Sequence, residues 1–143
     1  IDNNSTDETE LFLKSLDDDI FYIIYSAENL GVAGGRNLGI KKSKADILVF
    51  LDDDAIFNIQ KENPFSLVMR EFNNDSNLGI VAFKITNYYS KEVQKHEFPF
   101  VDKTIDKDTR NLSAYFVGAG HAIKKEVFIN DKTQFYLCLK NYY

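Results

Sequence analysis

The stretch "DILVFLDDDAIF", residues 46–57, constrains the fold more than any other part of the chain. After its first residue it is continuously apolar up to Leu51, at strand length, which is the pattern of a strand covered on both faces. It then breaks without transition into Asp52, Asp53 and Asp54. Two further runs read as strands. "IFYIIYS" at 20–26 is β-branched and aromatic, so a buried strand is expected there, and "LGIVAFKIT" at 78–86 predicts another. Helical patterns lie between them. Ser5 and Glu8 have capping-box spacing, with Asp7 in the first turn and Leu11, Phe12, Leu13 and Leu16 as an apolar face, which predicts a helix over 6–17. "NLGVAGGRNLGIKKSKA" is a glycine-rich turn opening into a helix that ends near Lys44. "NPFSLVMREFNN" at 63–74 is helical, with Pro64 tolerated in its first turn. Residues 87–111 are polar, contain Pro99 and read as loops and short strands. Residues 112–128 predict a strand, a glycine turn, and then a strand or helix. Strands alternating with helices argue an α/β domain with a largely parallel sheet, in which ligands bind at the carboxyl ends of strands.

Composition narrows the function. The 143 residues suffice for one domain with a real core. A 44% hydrophobic share and 14% aromatic share, all Phe and Tyr, mark a globular chain. The formal charge is −5 with no basic stripe, which argues against a nucleic-acid partner, since phosphate binding needs clustered Lys and Arg. A single cysteine, Cys138, forms no intrachain disulfide and reads as a small buried hydrophobe in a reducing compartment. No apolar stretch approaches the roughly 20 residues of a membrane span.

The chain has two acidic triplets, and strand polarity separates them. Asp17, Asp18 and Asp19 precede a strand, on the rim away from ligands, and read as a solvated turn. Asp52, Asp53 and Asp54 follow a strand. Like charges about 4 Å apart repel by roughly 4 kcal/mol at an effective dielectric near 20, so such a cluster needs a cation or open water. A hard divalent ion takes one or two protein carboxylates and completes its shell with phosphate oxygens and water. The triplet therefore reads either as a holder of a metal–diphosphate pair or as an Asp-rich turn. A calcium loop is disfavoured by the spacing of the acids and the missing glycine in "DDDAIFNIQ". A phosphatase-like Asp nucleophile lacks its accompanying Lys and Thr motifs.

Four segments, "IDNNSTDET", "NLGVAGGRNLGI", "ADILVFLDDDAIF" and "YFVGAGHAIKKEVF", occur in the order and spacing of a known pattern. Together they resemble the family 2 nucleotide-sugar glycosyltransferases, which have the GT-A fold. The resemblance implies a Rossmann-like α/β domain with a mixed, mostly parallel sheet. It also implies inverting transfer of a sugar from a nucleotide-diphosphate sugar to an acceptor hydroxyl, assisted by Mg²⁺ or Mn²⁺. The family's DXD motif falls on Asp52 and Asp54, with Asp54 as the direct metal ligand and Asp52 and Asp53 near the ribose or around the metal. Its first acidic turn falls on Asp2, beside Asn3, and faces the nucleotide; the alternative for Asp2 is a turn residue bonding its own backbone. Arg36 matches a position that either anchors phosphate or ribose or braces the site. Gly118 and Gly120 match the turn near donor sugar and acceptor. His121, just after it, reads as an orienting or packing group rather than as a base. Lys124 and Lys125 stand at the family's basic pair, either attracting an anion or forming a solvated face.

The resemblance is incomplete at both ends. The family's catalytic acid pair after the basic pair has no counterpart in "INDKTQFYLCLKNYY", so no catalytic base is identified. The family's first strand, and most of its second, would precede Ile1. Residues 1–143 are therefore expected to be a partial domain, an interior fragment with weak or no turnover by itself. A non-catalytic GT-A fragment that at most binds nucleotide is the competing reading. By resemblance, the acceptor is a glycan or lipid-linked glycan of a bacterial cell surface. The setting is cytoplasmic or peripheral to the inner face of the membrane.

Overall fold

A computed structural model describes residues 1–16, 19–60, 62–93 and 116–130. They fall into two compact units, residues 1–44 with 128–130 and the described residues between 45 and 127. In chain order the elements are α1 (Thr9–Lys14), α2 (Gly31–Lys42), β1 (Ile47–Leu51), α3 (Pro64–Asn74), β2 (Ile80–Ala82), β3 (Gly120–Lys124) and α4 (Glu126–Asn130). The chain is thus α/β, as expected.

The second unit is built on a three-stranded sheet in the order β1-β3-β2. β3 pairs antiparallel with both neighbours, with Leu48 opposite Ile123 and Val81 opposite Ala122. β1 and β2 therefore run the same way with β3 reversed between them. The largely parallel sheet expected from alternation is not what these ladders show. Alternation of elements reports the direction of β1 and β2 but not a later strand inserted between them. The double-sided burial expected of β1 is present. Ile47 and Val49 pack on a core of Val68, Phe72 and Ala122, while Leu48 is buried on the opposite face, across from Ile123.

α3 supplies the cover for one face, and its limits follow from its residues. The Asn63 carboxamide oxygen accepts from the amides of Phe65 (2.9 Å) and Ser66 (3.3 Å), closing the N-terminus. Pro64, at the first position, has no amide to leave unpaired. Pro64, Val68 and Phe72 recur every four residues and are the buried stripe. The predicted bounds, 63–74, are met to within the cap residue.

The first unit departs further from expectation. The helix predicted over 6–17 is only Thr9–Lys14. Asp2 takes the Ser5 amide (3.0 Å), Asn4 adopts φ 67°, and Asp7, not Ser5, accepts from the Thr9 amide (2.9 Å). These local bonds hold residues 2–8 in turns that compete with helix. Hydrogen bonds from Thr9 hold the Asp7 carboxyl below its ordinary pKa. The buried strand expected at 20–26 is reduced to one parallel bridge, Asp2 with Tyr25. Asp2 donates to the Ile24 carbonyl (2.8 Å) and accepts from the Ser26 amide (2.9 Å). Ile20 and Tyr22 are 74% and 79% exposed, so that segment is not buried. β-branched and aromatic composition favours a strand only where a full-length neighbour is present to pair with it. Residues 17 and 18 of the first acidic triplet lie outside the described residues, and Asp19 is in an exposed turn. The expected loops and strands at 94–111, the strand at 112–115 and Cys138 also lie outside them. After the glycine turn the chain forms first a strand and then a helix, β3 and α4.

The α3 cover yields a graded stability prediction. Phe72→Ala should destabilise by about 3–5 kcal/mol through the cavity it leaves, and Asn63→Ala by about 1 kcal/mol through the lost cap. Urea unfolding of the two variants checks both the values and their order.

Candidate functional site

The acidic triplet sits where β1 ends. The ladder with β3 extends one residue past the strand, because the Asp52 amide donates to the Ala119 carbonyl (2.9 Å). The Ala55 amide then donates to the Asp52 carbonyl (3.1 Å), closing a turn whose two central residues are Asp53 and Asp54. Both carboxylates are exposed, and no hydrogen bond or ion pair to them occurs among the described residues. Asp52 is half-buried.

Strand polarity brings the glycine turn to the same place. β3 begins at Gly120, opposite Leu51, and the Phe83 amide donates to the Gly120 carbonyl (3.0 Å). The ends of β1 and β2 and the start of β3 therefore share one rim of the sheet. At Gly120 an added Cβ would stand 3.4 Å from Phe83 Cδ2 and 3.6 Å from Leu51 Cδ1, in an already filled apolar gap. Asp52, Asp53, Asp54, Gly118 and Gly120, singled out far apart in sequence, are gathered on this rim.

His121 is fully buried, at 0% exposure. Its ring stacks on Phe50 (centroids 5.0 Å, 16°) and packs against Phe116 (4.7 Å). Its Nδ1 lies 3.1 Å from the Gly118 carbonyl, to which the Nδ1–H tautomer donates. The ring holds the turn in shape from beneath, which is the orienting role, and a ring so enclosed does not reach a hydroxyl outside. Lys124 and Lys125 lie at the far end of β3. Lys124 pairs in register with Ile47, donates from Nζ to the Ser76 carbonyl (3.1 Å) and stands over the Phe72 ring (5.2 Å). Four residues of strand, about 13 Å, separate its position from Gly120, so it braces α3 rather than serving the acidic rim.

The remaining expected residues belong to the first unit, where Asn3 organises a loop. Asn3 Nδ2 donates to Asn29 Oδ1 and to the Gly31 carbonyl, both at 3.1 Å, and Asn3 Oδ1 accepts from the Leu30 amide (3.0 Å). Asn29 Oδ1 also accepts from the Gly31 amide (2.9 Å). Gly31 opens α2 at φ 67°, a left-handed conformation that favours glycine. Gly35 faces the Asn3 carboxamide, 3.7 Å from where a Cβ would be. Asn3 is thus committed to bracing the entry to α2. Asp2 is buried and makes the backbone turn bond weighed as its alternative, through Oδ1 to Ser5. Arg36 is half-buried in the second turn of α2. The bracing by Asn3 and Asn29 was not legible beforehand, because a hydrogen bond spanning 26 residues has no local signature.

Among the described residues no three His, Cys, Asp or Glu side chains converge into a self-sufficient metal cage. The exposed Asp53 and Asp54 carboxylates nevertheless suit a hard divalent ion that takes one or two protein oxygens and completes its shell from phosphate and water.

The family model described as "Glycosyl transferase family 2" matches residues 1–131. An "Uncharacterized protein" of Haemophilus influenzae is 37% identical over 88% of this chain and 70% of its own length. No solved structure matches. No helix among the described residues is long and apolar enough to cross a membrane.

The Asn3 brace has a local test. Asn3→Ala should speed amide exchange at Leu30, whose acceptor is lost, by about tenfold for a bond of about 1.4 kcal/mol. The Gly31 amide, held by Asn29, should change less and serves as the internal control.

Proposed function

We propose, for a chain that belongs to glycosyl transferase family 2, transfer of a sugar from a nucleotide-diphosphate sugar to an acceptor hydroxyl with inversion at the anomeric carbon. Family membership supports glycosyl transfer in general. The finer reading is carried by one observation, the Asp52–Ala119 hydrogen bond that joins the acidic turn to the glycine turn on one rim.

In this reading Asp54, with Asp52 behind it, holds Mg²⁺ or Mn²⁺. When bound, the ion supplies positive charge that stabilises the departing diphosphate. Asp53 lies beside the donor, and the backbone at Gly118 lets the sugar approach closely, with Gly120 packed beneath it against Phe83 and Leu51. The family resemblance alone assigns Asp2, Asn3 and Arg36, all in the first unit, to the nucleotide. The exposed, unengaged carboxylates of Asp53 and Asp54 support this assignment, since a purely structural turn would gain by capping them. The acceptor is a glycan or lipid-linked glycan of a bacterial cell surface, met in the cytoplasm or at the inner face of the membrane.

Calorimetric titration with UDP, GDP, CDP, ADP and dTDP, each with and without Mn²⁺, tests the proposal. One or more should bind in a Mn²⁺-dependent way. Mn²⁺ alone should bind weakly, because two carboxylates leave most of its shell to water. Asp54→Ala should weaken the Mn²⁺-dependent binding at least about tenfold, the effect of about 1.4 kcal/mol. Equal nucleotide affinity in EDTA and in Mn²⁺, with no effect of Asp54→Ala, would refute the metal assignment.

A further inference from the structure

Beyond β2 the chain makes a turn that no part of the donor reading uses. Asn87 accepts at Oδ1 from the amides of Tyr89 (2.9 Å) and Ser90 (3.0 Å). Its carbonyl accepts from the Lys91 amide (2.9 Å), and its own amide donates to the Glu92 carbonyl (2.9 Å). Lys91 takes φ 62°, a conformation unusual for a side chain of its kind. Backbone bonds thus close residues 87–92 on themselves, and the loop presents two tyrosines outward. Tyr88 is 60% exposed and Tyr89 is 89% exposed. Their rings meet edge to face at 5.3 Å and 88°, forming a corner, and Lys91 Nζ stands 4.2 Å from the Tyr88 centroid.

We propose that Tyr88 and Tyr89 form a stacking platform for the pyranose rings of an oligosaccharide acceptor. The inference rests on the glycosyl-transfer reading above and adds to it the binding site of the second substrate. Three observations carry it. The first is chemical. A pyranose ring has an apolar face of C–H groups edged by hydroxyls, and an aromatic face attracts the weakly positive C–H groups. Lys91 Nζ, 4.2 Å from the Tyr88 centroid, and the two phenolic hydroxyls add polar groups to the aromatic corner, which suits a sugar better than a purely apolar partner.

The second is preorganisation. The closed turn fixes the backbone of both tyrosines before any ligand arrives, which lowers the ordering cost of binding. The third is position. The Ile85 side chain lies 3.7 Å from the Cβ position of Gly120, on the rim that holds the acidic turn. Tyr88 follows Ile85 by three residues, a reach of at most about 11 Å. The platform is therefore tethered beside the rim, within the span of a short oligosaccharide.

The test is NMR titration of the full chain with cellotriose, chitotriose and maltotriose, in EDTA and without nucleotide. At least one trisaccharide should shift the ring resonances of Tyr88 and Tyr89. Tyr89→Ala should weaken that binding about fivefold to tenfold, while Tyr89→Phe should keep it. Tyr89 is so exposed that its replacement leaves folding intact, which circular dichroism verifies. Asp54→Ala should bind trisaccharide like the unaltered chain, so that failure of the donor site and failure of this platform read out separately. Absence of ring shifts with all three sugars, or unchanged affinity in the Tyr88→Ala/Tyr89→Ala double variant, overturns the proposal.

Discussion

The antiparallel pairing of β3 with β1 is the interaction on which the second unit depends. It buries Ala122 and Ile123 on opposite faces of one strand. Through Asp52 and Ala119 it also continues past the strand and locks two turns together. Packing on both faces prevents register slip, because a shift of one residue would turn Ala122 away from Phe72 and Val68. The geometry of the acidic rim is therefore set by the core and not by the carboxylates, and Asp53 and Asp54 stay exposed without being needed to hold the turn.

His121 shows the same division of labour. Its ring is enclosed between Phe50 and Phe116, yet one nitrogen reaches the Gly118 carbonyl. Core packing thus fixes a turn that has little side-chain material of its own. In the first unit, Asn3 does the equivalent with hydrogen bonds, tying residues 29–31 to the N-terminal segment. Both devices shape backbone through a side chain that is itself already engaged.

Legibility in the sequence followed how local the cause was. α3 was readable almost to the residue, since its cap, its proline and its apolar stripe all lie within it. β1 was readable because an uninterrupted apolar run of that length has few alternatives, and the acids after it marked its end. The short α1 was misjudged because Asp2, Asn4 and Asp7 hold turns whose partners lie outside a capping-box pattern. The segment at 20–26 was misjudged because strand composition does not supply a pairing neighbour. The direction of the sheet was misjudged because β3 enters it from far along the chain. Asp52, Asp53, Asp54, Gly118 and Gly120, far apart in sequence, lie together on one rim, whereas the bracing by Asn3 and the far-rim place of Lys124 have no local signature in the sequence.

The late arrival of β3 bears on how the protein is made. Ala119 lies 67 positions beyond Asp52, so the bond joining the two turns closes a long loop. During synthesis the acidic turn leaves the ribosome well before its partner exists, and β1 and β2 wait with unpaired edges between them. The rim consequently forms only after β3 has emerged, and β1 and β2 are most exposed to aggregation in the interval before β3 slots between them.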